Sequence, residues 1–566
     1  MHSTHPANWE TLKKVREMED PKLKVGAFMK PEIQLRPYQK KGVMNMLLTT
    51  QMILGDGAGL GKTLQAINAF AIWKEKVPDA KLLIVTLKSS APQWGEEMEK
   101  FTTGLTWRVV LNKYKRSGAK KTLIGKEARI AQYEDFKDAD VLVVHYATAR
   151  EDFDRIIAAR LPTYMVVFDE IQECKNHKSM NFEVACQIAD QATRKYGMSA
   201  TPIKNRLVEF FYLFKIIVPH LFKNVTQFKK DYTIEELQWI PMKGTMKRVP
   251  KVVGYKNLMD FKNKVEPYFL VRRTRDVAKE LPHLMSKKAV IEMTAAQKKL
   301  TAEAKSGLVY ERRFREKFYS FREEYDALLH PTEAQTIKYF ELLEKFEALS
   351  TKEGRQNAKG AALAFCQMVA NGPQWIDEEG TSAKLEEFTR VMEDELDGEN
   401  VIVYTRFESG IKYLQEAMKK IGRESVKISG AEDDEQRRSA RMRFQDPEDP
   451  VNVIFITQAG SAALNLQSAS VVLFYDTPWS FGDLYQIIGR AQRIGSTHEH
   501  ILVYHMVCEG SIDEHVLALL SSKKDLSDEV IGDIAEGALS FGGKDEVALG
   551  QDGESMQDAL YRAMFG

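Results

Sequence analysis

Cysteine is scarce in this chain. The four present, Cys174, Cys186, Cys366 and Cys508, stand far apart, with no C-x-x-C and no Cys/His pattern of metal-ligand spacing. That excludes a disulfide framework and a structural zinc centre, fits a reducing compartment, and makes the thiols core residues. Long apolar runs are missing too. None approaches the roughly 18 residues of a membrane span, and the N-terminal MHSTHPANWETLKKV has no apolar stretch of the secretory kind. The expectation is a soluble intracellular protein. Neither sign of charge dominates: Lys plus Arg number 81 and Asp plus Glu 80, a net +1. Any binding of a polyanion must therefore come from local patches. There is no Gly, Pro or Ser bias and no repeat of 20 to 50 residues. What remains is a globular chain, 44% hydrophobic and 28% charged over 566 residues, too long for one core.

Short β-rich runs alternate with helix-length segments at 52–56, 81–87, 107–111, 140–146, 164–170 and 194–200. The pattern returns at 400–406, 423–430, 451–458, 470–476 and 500–507. Continuous apolar strands separated by helices predict parallel sheets covered on both faces, so the chain is α/β with two such lobes. Between them, GLVYERRFREKFYSFREEYDALL and AQTIKYFELLEKFEAL carry apolar residues at helical spacing. The predicted division is an extension at 1–30, a first lobe at 31–220, a helical insertion at 221–375, a second lobe at 376–520 and an acidic tail at 521–566. From Asp525 the tail has ten acidic residues against Lys544 and Arg562. A solvated tail and an inhibitory mimic of a polyanion are both open readings.

GDGAGLGKT, Gly55 to Thr63, sits between a strand and a helix, the context of a phosphate-binding loop, although Asp56 stands where the strict pattern has glycine. Backbone N–H groups and the helix dipole favour an anion there. Gly57, Gly59 and Gly61 let the backbone approach, Lys62 can reach the β- and γ-phosphates of ATP, and Thr63 can hold Mg²⁺. The bland alternative is a chance Gly-rich turn. YMVVFDEIQE delivers Asp169 and Glu170 to a strand's C-terminal end, where Asp169 can bind Mg²⁺ through water and Glu170 can deprotonate an attacking water; capping acids are the other reading. On a helix, Gln486, Arg490 and Arg493 fall at i, i+4 and i+7. One face then offers two guanidinium groups to a transferring phosphate, unless it is a solvated basic face.

With these residues in place, the chain resembles the Snf2 branch of the superfamily 2 helicase-like ATPases, the double-stranded-DNA translocases. In that branch the loop commonly reads D-E-x-G-x-G-K-T, so Asp56 is the expected residue and Gly57 is the departure. LRPYQKKGV resembles the Q motif, with Gln39 placed to recognise adenine. KLLIVTLKSSAPQW resembles motif Ia, with Leu87 where proline is usual, and VVHY resembles motif Ib. DEIQECKN is similar to D-E-x-H-x-x-K-N, with Gln172 in place of histidine. GMSATPIKNRLVEFFYLFKIIVP resembles motif III, and FLVRRTRDVAKELP is the segment that sets Snf2 proteins apart. VIVYTRF, ITQAGSAALNLQSAS and YQIIGRAQRIGS resemble motifs IV, V and VI, with Gln458 and Ala463 as departures in motif V.

The resemblance implies two RecA-like lobes that close on ATP and Mg²⁺ and walk along duplex DNA without separating its strands. The implied DNA-backbone contacts are Lys88, Ser89, His145, Tyr146, Lys204, Thr457 and Trp479. They carry no sequence information, so binding should be salt-sensitive and sequence-independent. The basic run at 112–129 reads as a solvated loop or a DNA patch. The insertion at 221–375 is a candidate surface for a protein partner. Two alternatives are a strand-separating helicase and a nucleotide-gated DNA-binding scaffold with little hydrolysis. Nothing resembling a bromodomain, chromodomain, zinc module or nuclease flanks the motifs, which suggests a bare motor of bacterial or phage type, cytoplasmic, or nuclear if eukaryotic.

Overall fold

The computed structural model describes residues 8–110, 114–117, 120–123, 139–158, 164–200, 207–242, 245–272, 277, 281–328, 331–349, 359–458, 464–493, 496–520 and 546–548. In chain order the strands are β1 (Gln51–Leu54), β2 (Lys81–Thr86), β3 (Trp107–Val109), β4 (Tyr114–Ser117), β5 (Lys120–Leu123), β6 (Val141–His145), β7 (Tyr164–Asp169) and β8 (Arg194–Met198). They continue with β9 (Thr233–Met242), β10 (Thr245–Lys256), β11 (Phe269–Leu270), β12 (His283–Ile291), β13 (Val401–Tyr404), β14 (Glu424–Ile428), β15 (Val451–Ile456), β16 (Val471–Phe474), β17 (His500–Cys508) and β18 (Glu546–Ala548).

Every apolar run named from the sequence is a strand. The first lobe is one parallel sheet in the order β11-β1-β8-β7-β2-β6-β3. Its central strands are buried along nearly their whole length, as a sheet covered on both faces requires. Two apolar layers do the covering. One contains Phe168, Phe210, Phe214 and Phe261, the other Phe70, Trp94 and Met165. The second lobe is parallel too, in the order β12-β17-β16-β13-β15-β14, and again has an apolar layer on each face. The chain is thus α/β with two parallel-sheet lobes. Among the described residues no helix is long and apolar enough to cross a membrane.

The span 221–375 is helical only in part. The predicted helices form at Leu308–Asp326 and Glu333–Leu349, but β9 and β10 pair as a long antiparallel hairpin. The span also gives a strand to each lobe. β11 lies beside β1, with Ile53 opposite Phe269 and Leu54 opposite Leu270, while β12 pairs with β17 from His283↔His500 to Ile291↔Cys508. Two residues are too short a run to show a period. In β12 most side chains are exposed, so no apolar pattern marks it. The basic run at 112–129 lies mostly outside the described residues, and so does most of the acidic tail.

Candidate active site

Ligands of open parallel sheets gather at the carboxyl ends of the strands, and here the loops after β1, β2 and β7 meet at that edge, with Ala200 following β8. The loop after β1 bends through Gly59 and Gly61, both left-handed at φ 79° and 72°. Gly61 caps the helix Lys62–Lys76, so this helix N-terminus opens on the loop. The Lys62 ammonium donates to the backbone oxygens of Asp56 (2.7 Å) and Gly57 (3.1 Å). Burial pushes its pKa below the ordinary value, against the raising pull of Glu170, Asp56 and Asp169. Gln39 donates from Nε2 to the carbonyl of Leu60 (3.2 Å) and accepts from the Arg36 N–H at Oε1 (3.0 Å), so it braces the loop from the helix Pro37–Leu48. Gly57 is buried and differs from the other two glycines. Its N–H donates to the carbonyl of Arg272 (2.9 Å) and its own carbonyl accepts from the Lys62 ammonium.

β7 ends with the two acids. Asp169 Oδ2 accepts from Thr86 Oγ1 (2.8 Å) and Trp94 Nε1 (2.9 Å). Burial, and then the neighbouring Glu170, hold its pKa above the usual carboxylate range. Glu170 has left-handed backbone, φ 52° and ψ 51°, and accepts at Oε2 from Gln172 Nε2 (2.6 Å). A non-glycine residue in that region costs on the order of 1 kcal/mol or more and persists where the surroundings impose it. Gln172 therefore occupies the histidine position as a direct partner of Glu170.

A raised carboxyl pKa lowers stability once the pH rises past the ordinary carboxylate value, because the folded protein then holds a charge that the unfolded chain carries more easily. Asp169→Asn keeps the acceptor for Thr86 and Trp94 and removes that charge. The ligand-free variant should be more stable than the parent by ~1–2 kcal/mol at pH 7.5. The gain should vanish near about pH 3.5, where the carboxyl is protonated in both states. Urea unfolding at the two pH values checks this, and an equal gain at both would contradict it.

The second lobe supplies the opposite wall. The helix Phe481–Ala491 carries Gln486 and Arg490. Arg493 falls beyond its end, contrary to the predicted single helical face: the Gln492 side chain reaches across to the carbonyl of Pro282 (2.8 Å), and Arg493 folds back to donate to the carbonyl of Gly489 (3.0 Å). Close approach requires the glycines here, since a Cβ on Gly489 would lie 2.6 Å from Cβ of Ala58, and one on Gly59 3.0 Å from the carbonyl oxygen of Gln492. Between the walls is a cavity of about 330 Å³ lined by Gln39, Gly59, Gly61, Lys62, Thr63, Asp169, Glu170, Gln486, Arg490 and Arg493. The lobes also touch outside it, through Arg441 and Glu96 at 3.0 Å.

Arg490 is 7% exposed. Among the described residues one long side-chain contact reaches it, Nη1 to the carbonyl of Leu464 at 3.5 Å, and its buried Nε has no protein partner. Burial, then Arg493, push its pKa down to about 9, opposed by Glu170 and Asp169, so it is still a cation at neutral pH. Burial lowers Arg493 as well, opposed by Glu97. A buried guanidinium with a spare donor, aimed at a cavity that also holds Lys62 and a helix N-terminus, fits an anion such as a triphosphate. The adjacent carboxylates and Thr63 suit Mg²⁺, which binds through one or two carboxylates together with phosphate oxygens rather than in a protein cage. Among the described residues there is no cluster of three or more His, Cys, Asp or Glu that could hold a metal without the phosphates.

The remaining predicted contacts scatter. Lys88 is exposed and Ser89 half-buried after β2. His145 and Tyr146 are buried: the His145 ring contacts Thr148, and the Tyr146 hydroxyl donates to the carbonyl of Asp169 (2.9 Å). Thr457 is buried with its N–H on the carbonyl of Ile428 (3.3 Å). Trp479 is half-buried, with the Arg406 guanidinium 3.6 Å over its ring. Lys204 lies outside the described residues.

The SNF2-related domain family matches residues 38–345, and the helicase conserved C-terminal domain matches 383–495. The chain is 25% identical to a putative ATP-dependent helicase/translocase, YwqA, of Bacillus subtilis, over 88% of this chain and 49% of that protein. It is 24% identical to an uncharacterized ATP-dependent helicase of Mycoplasma pneumoniae over 91% of this chain and 44% of that one. The chain spans about half the length of these curated relatives. Among solved structures it is similar to a SWI2/SNF2 ATPase core of Sulfolobus solfataricus in complex with dsDNA, with 20% identity, coverage of 92% of this chain and 97% of that one, and a TM-score of 0.37.

Proposed function

Because this chain belongs to the SNF2-related domain family, we propose that it hydrolyses ATP between its two lobes and uses the cycle to move along duplex DNA without separating the strands. The observation that carries the reading is the shared cavity: the phosphate loop, Asp169 and Glu170 on one wall, Arg490 and Arg493 on the other. In this reading Lys62 leaves the carbonyls of Asp56 and Gly57 for the β- and γ-phosphates, Gln39 meets the adenine, and Gln486 joins the second wall. Thr63 and Asp169 hold Mg²⁺, which when bound neutralises part of the phosphate charge. Glu170 takes the proton of the attacking water, while Arg490 and Arg493 stabilise charge on the transferring phosphoryl group. Only the closed arrangement brings the two arginines to the phosphate. ATP therefore favours closure, and hydrolysis removes that preference.

Duplex DNA as the track follows from the family resemblance, which assigns Lys88, Ser89, His145, Tyr146, Lys204, Thr457 and Trp479 to contacts with its backbone. ATPase rate without nucleic acid, and with single-stranded DNA, duplex DNA or RNA, tests the proposal. Duplex DNA should stimulate most, the stimulation should fall steeply with salt, and Lys62→Ala should abolish it. Displacement of a triplex strand without an unwound product supports translocation. Unwinding instead identifies a strand-separating helicase, and no hydrolysis on any duplex leaves a nucleotide-gated scaffold.

A further inference from the structure

Asp56 replaces a glycine of the strict phosphate-loop pattern and is wholly buried, so a charged group sits where it must be paired. Its partner comes from far along the chain. Arg272, directly after β11, donates from Nε to Asp56 Oδ1 (2.8 Å) and from Nη2 to Asp56 Oδ2, a bidentate fork. The same guanidinium donates to Gln65 Oε1 (3.0 Å) on the helix that begins at Lys62, and to the carbonyl of Tyr38, whose ring it also covers at 5.4 Å. Gln65 Nε2 in turn donates to Asp56 Oδ2 (3.0 Å). The backbones are tied as well: Gly55 donates to the carbonyl of Leu270 (2.7 Å) and Gly57 to that of Arg272 (2.9 Å). Gly42 leaves the room, since a Cβ there would stand 2.9 Å from Arg272 Nη2.

We infer that Arg272 is a positioning residue for the nucleotide, holding the phosphate loop in its binding shape through the buried carboxylate of Asp56. The loop cannot set its own shape here, because Asp56 and Gly57 turn inward and leave Gly59, Gly61 and the helix N-terminus to face the cavity. The clasp fixes both ends of that stretch at once, Asp56 before it and Gln65 after it. Farther along the same segment, Leu281 packs with Tyr38 and Leu60, and the Pro282 carbonyl receives Gln492, the neighbour of Arg493. The connection between the lobes is thus attached to both walls of the cavity. The inference rests on the ATPase reading for its kinetic consequence, but its binding consequence stands apart from it.

The test uses the full chain with Arg272→Lys, Arg272→Gln and Asp56→Asn. It measures KM and kcat for ATP with duplex DNA, affinity for a fluorescent ATP analogue, and Tm. Lysine keeps the charge and loses the fork, so Arg272→Lys should still raise KM and weaken analogue binding about tenfold, with a smaller change in kcat. Asp56→Asn should do the same, and the double variant Arg272→Gln/Asp56→Asn should be no worse than Arg272→Gln, because one pair is lost in each. A merely structural role would lower Tm and the active fraction, hence kcat, and leave KM and affinity in place. If Arg272→Gln does not fold, Arg272→Lys and Asp56→Asn decide. Analogue affinity within about twofold of the parent in both overturns the inference whatever their Tm. A parent chain that binds the analogue and never hydrolyses ATP sinks the ATPase reading instead, and the affinities still decide this one.

Discussion

Glu170→Gln should leave a protein that binds ATP about as tightly as the parent and turns it over ~10²–10⁴-fold more slowly, the range expected when a positioned general base is lost. The substitution is close to isosteric, so it separates chemistry from shape. Glu170 is held by left-handed backbone at the end of β7 and by the 2.6 Å bond from Gln172, neither of which needs the negative charge. The amide can still accept from Gln172, but it cannot take a proton from water. Single-turnover hydrolysis alongside analogue binding is the measurement. Loss of binding and turnover together would mean that the charge serves the nucleotide or its ion rather than the water, and unchanged turnover would remove Glu170 from the chemistry. The departure at Gln172 bears on the same point. A histidine at that position could titrate near neutral pH, whereas glutamine cannot, so the donor to Glu170 carries no charge that changes with pH.

Much of this architecture was legible before any coordinates, and what was missed has physical causes. Buried parallel strands announce themselves because both faces must be apolar, so the runs at 81–87, 164–170 and 451–458 could be read directly. The phosphate loop and the acids after β7 were legible because strand, turn and helix constrain one another over a few residues. Arg272 was not. Its role depends on a pairing with Asp56 across more than two hundred positions, and the two-residue strand that delivers it has no periodicity. The donation of the Gly57 N–H to the carbonyl of Arg272 is equally invisible in the loop's own sequence. His145 and Tyr146 illustrate another limit: a motif gives residue type, whereas the burial of both side chains depends on how the lobe packs. Arg493 was assigned to the right cavity through the wrong local structure, since the helix ends at Ala491 where Gln492 turns toward Pro282.

Arg490→Met should separate stability from turnover more sharply than any other single change in the site. In the ligand-free protein Arg490 is a buried cation with, among the described residues, one long side-chain hydrogen bond and a spare Nε, an arrangement that costs stability until an anion arrives. Methionine fills similar volume without the charge, so the Tm of the ligand-free variant should equal or exceed that of the parent. Turnover should fall about 10³-fold or more, as when an arginine that stabilises the transferring phosphoryl group is removed. Arg490→Lys should recover little of it, because a point charge does not reproduce the planar fork. Arg493→Ala should also slow turnover but without the gain in Tm, since Arg493 is more open and has Glu97 nearby. A variant Arg490→Met that loses Tm while keeping its rate would show that this guanidinium braces the second lobe. In that case the closing of the lobes on ATP would have to depend on Arg493 alone.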